Sequence, residues 1–327
     1  MAAIITEAHP RVGLLGNPSD LYAGRVLGFT FTNFVARVRV EAAEGIELLG
    51  SEEPLRVPAS VPFAGNLEPC RGRGGAELLA AALKRLVGDH PRLEEHSRGL
   101  RASFETDIPR QAGLSGSSAL VVAALRAYSQ HFELPLNASE LARLAQEAES
   151  EELGLIAGPQ DRVLQAHRGL LAMDFGDEIP RVTRLDPEQL PPLLVGWDPL
   201  PGRPSGDVHA AVLERWTRGD ADVRRVMSEL RELVDEGVQA LADGNHDLMI
   251  SLMNANFELR QSVFPIEARD QDLVTLGRDV GAGAKLCGSG GAVVFVHSDQ
   301  ALLGRLAQSI SQAGWGALFP QVIGGDS

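Results

Sequence analysis

Between Ile108 and Ala119 the chain reads Ile-Pro-Arg-Gln-Ala-Gly-Leu-Ser-Gly-Ser-Ser-Ala, and no other stretch constrains the fold as tightly. Residues 99–106 before it alternate like a strand, and residues 119–132 after it carry the Ala, Val and Leu of a helix. Small residues between a strand and a helix let backbone N–H groups converge on a point, and the helix N-terminus adds about half a positive charge there. Ser117 and Ser118 supply hydroxyls at the helix start, where one can cap the helix and the other can face a metal ion. By physics this is a phosphate site. Taken alone, the same residues also suit an ordinary capped helix.

A chain of 327 residues is long enough for one large or two modest domains with a substantial core. Its net charge of -14 argues against nucleic acid or an anionic membrane as the main partner. An acidic protein that binds an anionic nucleotide would have to do so through local backbone dipoles, a few cations and Mg²⁺. The two cysteines, Cys70 and Cys287, give neither a metal spacing nor a disulfide framework, which suits reduced thiols in the cytoplasm. No signal core and no run of membrane-spanning length is evident, so a cytoplasmic protein is expected.

Periodicity predicts strands at 11–15, 30–40, 169–175, 193–197, 292–297 and 317–322, the last at a sheet edge, and a hairpin partner for 30–40 at 45–49. Helices are expected at 76–87, after Asn137 or Ser139 as cap, at 160–167, at 207–241 with a break near Gly219, and at 247–262, 270–280 and 302–313. Residues 54–74, rich in Pro and Gly, read as a loop. The domain boundary is expected just before Leu193, giving domains 1–190 and 191–327.

The loop lacks the Gly-x-x-x-x-Gly-Lys pattern, and no kinase His-Arg-Asp set occurs. Pro109-x-x-x-Gly113-Leu114-Ser115-Gly116-Ser117-Ser118-Ala119 instead resembles the central phosphate-binding motif of the GHMP kinases, the galactokinase, homoserine, mevalonate and phosphomevalonate kinase superfamily. Two further stretches resemble that family's end motifs. One is Arg11-Val12-Gly13-Leu14-Leu15-Gly16-Asn17-Pro18-Ser19-Asp20. The other is Gly283-Ala284-Lys285-Leu286-Cys287-Gly288-Ser289-Gly290-Gly291-Ala292, where Ala292 stands in place of a usual glycine. The same glycines would also serve a tight hairpin between two core strands.

The resemblance implies an α+β, two-domain GHMP kinase fold, with an N-terminal domain like ribosomal protein S5 domain 2 and a ferredoxin-like C-terminal domain. It implies ATP and Mg²⁺ as cofactors, with ATP on Pro109, Gly113, Leu114, Ser115, Gly116, Ser117, Ser118, Ala119, Gly288, Ser289 and Gly290. Asp161 takes the place of the catalytic base, Arg11 that of a cation near the transferred phosphoryl group, and Ser118 with Glu149 that of the metal ligands. Asp20 falls at the sugar-binding position, where a carboxylate can accept two hydroxyl hydrogen bonds. Galactokinases carry Glu-His where this chain has Asn17-Pro18, which counts against galactose.

The forms Leu15-Gly16-Asn17-Pro18-Ser19-Asp20-x-Tyr22, Gln160-Asp161-Arg162-x-x-Gln165 and Gly169-Leu170-x-x-Met173-Asp174-Phe175 are similar to those of family members that phosphorylate the anomeric hydroxyl of D-glucuronate. A uronate carboxylate calls for an arginine. Arg260, Arg110, Arg162 and Arg203 are the candidates, and Asn17, Ser205, Asn254 and Asn256 are further candidates for sugar contacts. The expected partners are a small sugar or sugar acid and ATP, in a monomer or homodimer. The alternatives are a kinase of a heptose, fucose or galactose type, and a non-catalytic sensor. A sensor has no chemical need for Arg11, Ser118, Glu149 and Asp161 together.

Overall fold

A computed structural model describes residues 2–50, 53–60, 67, 74–94, 99–200 and 205–324, and for 94 and 205–208 the backbone alone. In chain order its strands are β1 (Ile4–Ala8), β2 (Arg11–Leu15), β3 (Arg25–Thr30), β4 (Ala36–Ala43), β5 (Ile46–Leu48), β6 (Leu55–Val57), β7 (Gly99–Thr106), β8 (Leu170–Asp174), β9 (Arg181–Leu185), β10 (Leu193–Trp197), β11 (Gly283–Leu286), β12 (Ala292–Val296) and β13 (Gly316–Leu318). The α-helices are α1 (Ala76–Asp89), α2 (Gly116–His131), α3 (Ala138–Glu147), α4 (Gln160–His167), α5 (Ser205–Thr217), α6 (Ala221–Ala242), α7 (His246–Gln261), α8 (Ala268–Arg278) and α9 (Gln300–Gln312).

These elements cluster into two compact units. The first gathers Met1–Pro10, Phe34–Ile108 and Gly116–His167; the second gathers Arg11–Asn33, Pro109–Ser115 and Arg168–Ser327. The units therefore interleave along the chain, whereas the sequence-based domains are consecutive stretches.

In the first unit one sheet runs β1-β4-β7-β5-β6. Its central pair, β4 and β7, is antiparallel from Ala36↔Thr106 to Ala43↔Gly99. Alternation decides the buried face: Ala36, Val38 and Val40 are buried, while Arg39 between them is exposed. Helix α2 packs on β1 and β4 as well as on α1 and α3. That explains its Ala- and Val-rich sequence, which is buried on nearly every side. Asn137 caps α3 in a reciprocal box, its Oδ1 accepting from the Glu140 amide at 3.0 Å and the Glu140 carboxylate accepting from the Asn137 amide at 2.9 Å.

The second unit holds two antiparallel sheets, β2-β3-β8-β9 and β11-β12-β10-β13. Strand β12 is buried along its whole length, and its Val293 and Phe295 join Leu194, Phe257, Leu273, Leu303 and Ile310 in one apolar core. A second cluster unites Tyr22, Val212, Val223, Val226, Leu230 and Phe264.

Several expectations are corrected. The strand expected at 30–40 begins only at Ala36, as β4, because the chain leaves the second unit after Asn33; Thr30 is the last residue of β3. The segment at 45–49 does not pair with it: β5 runs parallel to β7 and antiparallel to β6. Strand β6 lies within the expected loop at 54–74, most of which falls outside the described residues. The C-terminal edge strand is shorter and earlier than 317–322: β13 ends at Leu318, and Val322 forms an isolated bridge to Phe31. No helix among the described residues is long and apolar enough to cross a membrane.

Candidate functional site

The central loop bears out its composition in its backbone. Gln111, Gly113 and Ser115 adopt φ of 56°, 68° and 64°, so every second residue is left-handed. Such alternation turns successive N–H groups toward one concavity, a nest that suits an anion. Gln111 and Ser115 carry a side chain in a conformation that costs on the order of 1–3 kcal/mol each, a form of strain that collects at functional sites. The loop then leads straight into α2 at Gly116.

Two glycine loops meet backbone to backbone here. A Cβ on Gly113 would stand 2.1 Å from the Gly290 carbonyl oxygen, and one on Gly288 would stand 2.4 Å from the Gly113 carbonyl oxygen. Gly290 and Gly291 also need positive φ, and the Gly291 amide donates to the Asp270 carboxylate at 2.8 Å. The loop joins β11 to β12 as an antiparallel hairpin, so the hairpin reading of this motif is met alongside the close approach.

Three cations are buried around these loops. Arg11, 4% exposed, donates from Nη1 to the Gly113 carbonyl at 2.7 Å, and its amide donates to the Leu114 carbonyl. Lys285, 1% exposed, spends its ammonium on the Gly13 carbonyl (2.7 Å), the Asn17 Oδ1 (2.5 Å) and the Leu286 carbonyl (2.8 Å). Burial holds its pKa well below the usual lysine value. Arg260 donates from Nη1 to the Gly288 carbonyl at 2.7 Å and from Nη2 to the Ser289 carbonyl at 2.9 Å, over the ring of Phe264. Burial lowers its pKa to about 10, with Asp270 and Asp20 opposing. These charges face backbone dipoles in a chain of net charge -14, an arrangement that favours an incoming anion.

Asp20 lies in a short 3₁₀ turn, Ser19–Tyr22, and is 4% exposed. Asn256, on α7, holds the approach to that turn: its Oδ1 accepts from the Gly16 amide at 2.6 Å and its Nδ2 donates to the Asn17 carbonyl at 3.2 Å. Asn17 is fully buried with Oδ1 on Lys285, leaving Nδ2 without a partner. Arg260 Nε and the Tyr22 hydroxyl are likewise buried without a hydrogen-bond partner. Burial and the neighbouring Asp20 charge raise the Tyr22 pKa, so its phenol stays protonated. Asn254 accepts from the Ala284 amide of β11 at 3.1 Å. Ser205 opens α5, but its side chain lies outside the described residues, as does the whole of Arg203.

Ser117, Ser118, Glu149, Asp161 and Arg162 belong to the first unit. Ser117 is exposed and Ser118 buried, both in the first turn of α2. Glu149 lies in a π-helical turn, Ala148–Glu152, that continues the buried face of α3. It is 1% exposed and pairs through Oε2 with Arg162, whose Nε stands at 2.6 Å. Arg162 is thereby committed inside the unit and does not suit a substrate carboxylate, whereas Arg110 is exposed. Glu151 and Glu152 make ion pairs with Arg85 and Lys84 of α1. Asp161 occupies the first turn of α4.

Among the described residues no group of three or more His, Cys, Asp or Glu side chains forms a metal cage. The hydroxyl of Ser118 and the carboxylate of Glu149 are hard oxygen donors, which fit a Mg²⁺ ion that takes its other ligands from water and phosphate. Sequence reasoning gave no role to Lys285, Asp270 or Tyr22. The signal for Asn256 and Arg260 was present as a four-residue spacing on one helix, polar positions facing inward.

Residues 76–169 match the family model described as the GHMP kinases N terminal domain. The fold is shared with Lactococcus lactis galactokinase in complex with galactose, with a TM-score of 0.80 at 16% identity, covering 99% of this chain and 95% of that one. It is shared also with Streptococcus pneumoniae phosphomevalonate kinase in complex with phosphomevalonate and AMPPNP, with a TM-score of 0.73 at 15% identity, covering 99% and 100%. The chain belongs to the GHMP kinase family and is a kinase of that fold. It is 37% identical to glucuronokinase 1 of Arabidopsis thaliana over 313 residues, 90% of this chain and 84% of that relative.

Proposed function

We propose that this kinase transfers the γ-phosphoryl group of ATP to the anomeric hydroxyl of D-glucuronate, giving glucuronate 1-phosphate and ADP. The observation that carries the phosphate half is the left-handed alternation at 111, 113 and 115 beside Arg11. The sugar half rests on the buried Asp20 and on the 37% identity to a glucuronokinase. Two buried donors without partners, Arg260 Nε and Asn17 Nδ2, are the atoms we assign to the acceptor carboxylate. Ser205 and Asn254 complete the acceptor assignment.

In this reading the triphosphate lies along 109–119, with Gly288, Ser289 and Gly290 closing on it through their backbone. Asp161 accepts the proton of the C1 hydroxyl as its oxygen attacks the γ-phosphorus, and the bond from phosphorus to the β-phosphate oxygen breaks, releasing ADP. Arg11 offsets charge on the transferred group, and Asp20 orients the sugar. Ser118 and Glu149 would hold Mg²⁺, which neutralises phosphate oxygens when bound. Positioning and electrostatics supply most of the acceleration.

The test is ADP release with ATP, Mg²⁺ and a sugar panel of D-glucuronate, galacturonate, galactose, glucose and a heptose. Turnover with glucuronate well above the others is expected. Turnover with a neutral sugar instead would overturn the acceptor, and nucleotide binding without turnover on any sugar would favour a sensor.

A further inference from the structure

Asp20 can orient a sugar only if the turn that carries it is held still. Gly16 sits at φ +84°, and a Cβ there would come within 2.1 Å of the Arg25 carbonyl oxygen, so the turn is pressed against β3 by a residue chosen for having no side chain. What grips the other side is Asn256. Its amide is 0% exposed and satisfies two backbone groups at once, accepting from Gly16 N–H and donating to the Asn17 carbonyl. The chemistry is specific. Aspartate would keep the acceptor but set an anionic oxygen against the Asn17 carbonyl, and glutamine would add a methylene to a site with no room.

One helical turn further along α7, Arg260 grips the carbonyls of Gly288 and Ser289. A single helix face thus anchors both the acceptor turn and the glycine loop. We propose that Asn256 is a positioning residue for the acceptor: it acts through the Gly16–Asn17 backbone to place Asp20, and it has no part in holding the nucleotide. This rests on the reading of Asp20 as the acceptor-binding carboxylate.

The experiment compares Asn256→Asp with Asn245→Ala in the full-length enzyme. Asn245 caps the N-terminus of the same helix, accepting from the Leu248 amide at 3.1 Å, so its loss loosens α7 without touching the turn. The readouts are KM and kcat for the preferred sugar of the panel, AMPPNP affinity by calorimetry, and hydrogen exchange of the peptide spanning 14–24. Asn256→Asp is expected to raise the sugar KM tenfold or more, to keep AMPPNP affinity within twofold, and to speed exchange across 14–24. Asn245→Ala is expected to match the wild type in all three. An unchanged sugar KM in Asn256→Asp, or the same KM rise in Asn245→Ala, would overturn the proposal. If the wild type uses no sugar of the panel, the glucuronate reading fails by itself, and the exchange comparison still decides the positioning role: protection at 14–24 that Asn256→Asp leaves intact sinks it.

Discussion

Tyr22 is a case in which the burial of a single polar atom sets the sign of a mutation. Its ring packs edge-on against Trp216 at 5.1 Å within an apolar cluster, and its hydroxyl is buried with no partner. A buried donor left unmade costs roughly 1–3 kcal/mol, whereas deleting it while keeping the ring removes that penalty. Tyr22→Phe is therefore expected to be neutral or to stabilise the protein by about 1 kcal/mol in urea unfolding. A loss of 1 kcal/mol or more would reveal a hydrogen bond that the structure does not contain. The same scale shows what sequence can and cannot announce. Asp20 and Arg11 were legible because a motif marks them. Tyr22 was not, because the lack of a partner is a property of the surroundings rather than of the residue. Lys285 was quoted within a motif but given no task. Its three acceptors, at Gly13, Asn17 and Leu286, include two reached only across a separation of some 270 positions in the chain.

At the scale of elements, local signals were read well and pairings were not. Helices α4 and α7, strand β2 and the Asn137 cap follow from residues within a turn or two of one another, which is the range of periodicity and capping. The partner of β5 was missed because strand pairing is chosen by packing over long separations. Strands β1 and β9 were also missed, being short or carrying mixed patterns. The nest at 109–115 was legible as a Gly/Ser composition, but the left-handed conformation of Gln111 was not, since glutamine gives no warning of it. The contact between the two glycine loops makes a further prediction at this scale. Gly113→Ala brings a methyl against the Gly290 carbonyl and places alanine at a φ of 68°, so the central loop must shift. AMPPNP affinity is expected to fall at least tenfold, read by calorimetry, while far-UV circular dichroism stays that of the wild type. Unchanged affinity would show that the loop does not hold the triphosphate.

At the scale of the whole molecule, the chain passes between its two compact units at Pro10/Arg11, Asn33/Phe34, Ile108/Pro109, Ser115/Gly116 and His167/Arg168. No local signal marks these crossings, which is why a sequence-based boundary falls at one place. Arg11 and Asp20 belong to the second unit, Asp161 and Glu149 to the first. Asp161→Asn conserves shape at a half-buried position in the first turn of α4 and removes only the capacity to accept a proton. The residues assigned to the triphosphate, from Pro109 to Ala119, are untouched. The variant is expected to keep the wild-type melting temperature and AMPPNP affinity while kcat falls about a hundredfold or more, the usual range for loss of a general base. Measured together, the three quantities separate the possible failures. Lost affinity with lost kcat would place Asp161 in nucleotide binding. A kcat within tenfold of the wild type would remove it from the mechanism, and the proton would then have to pass to another acceptor, the solvent included.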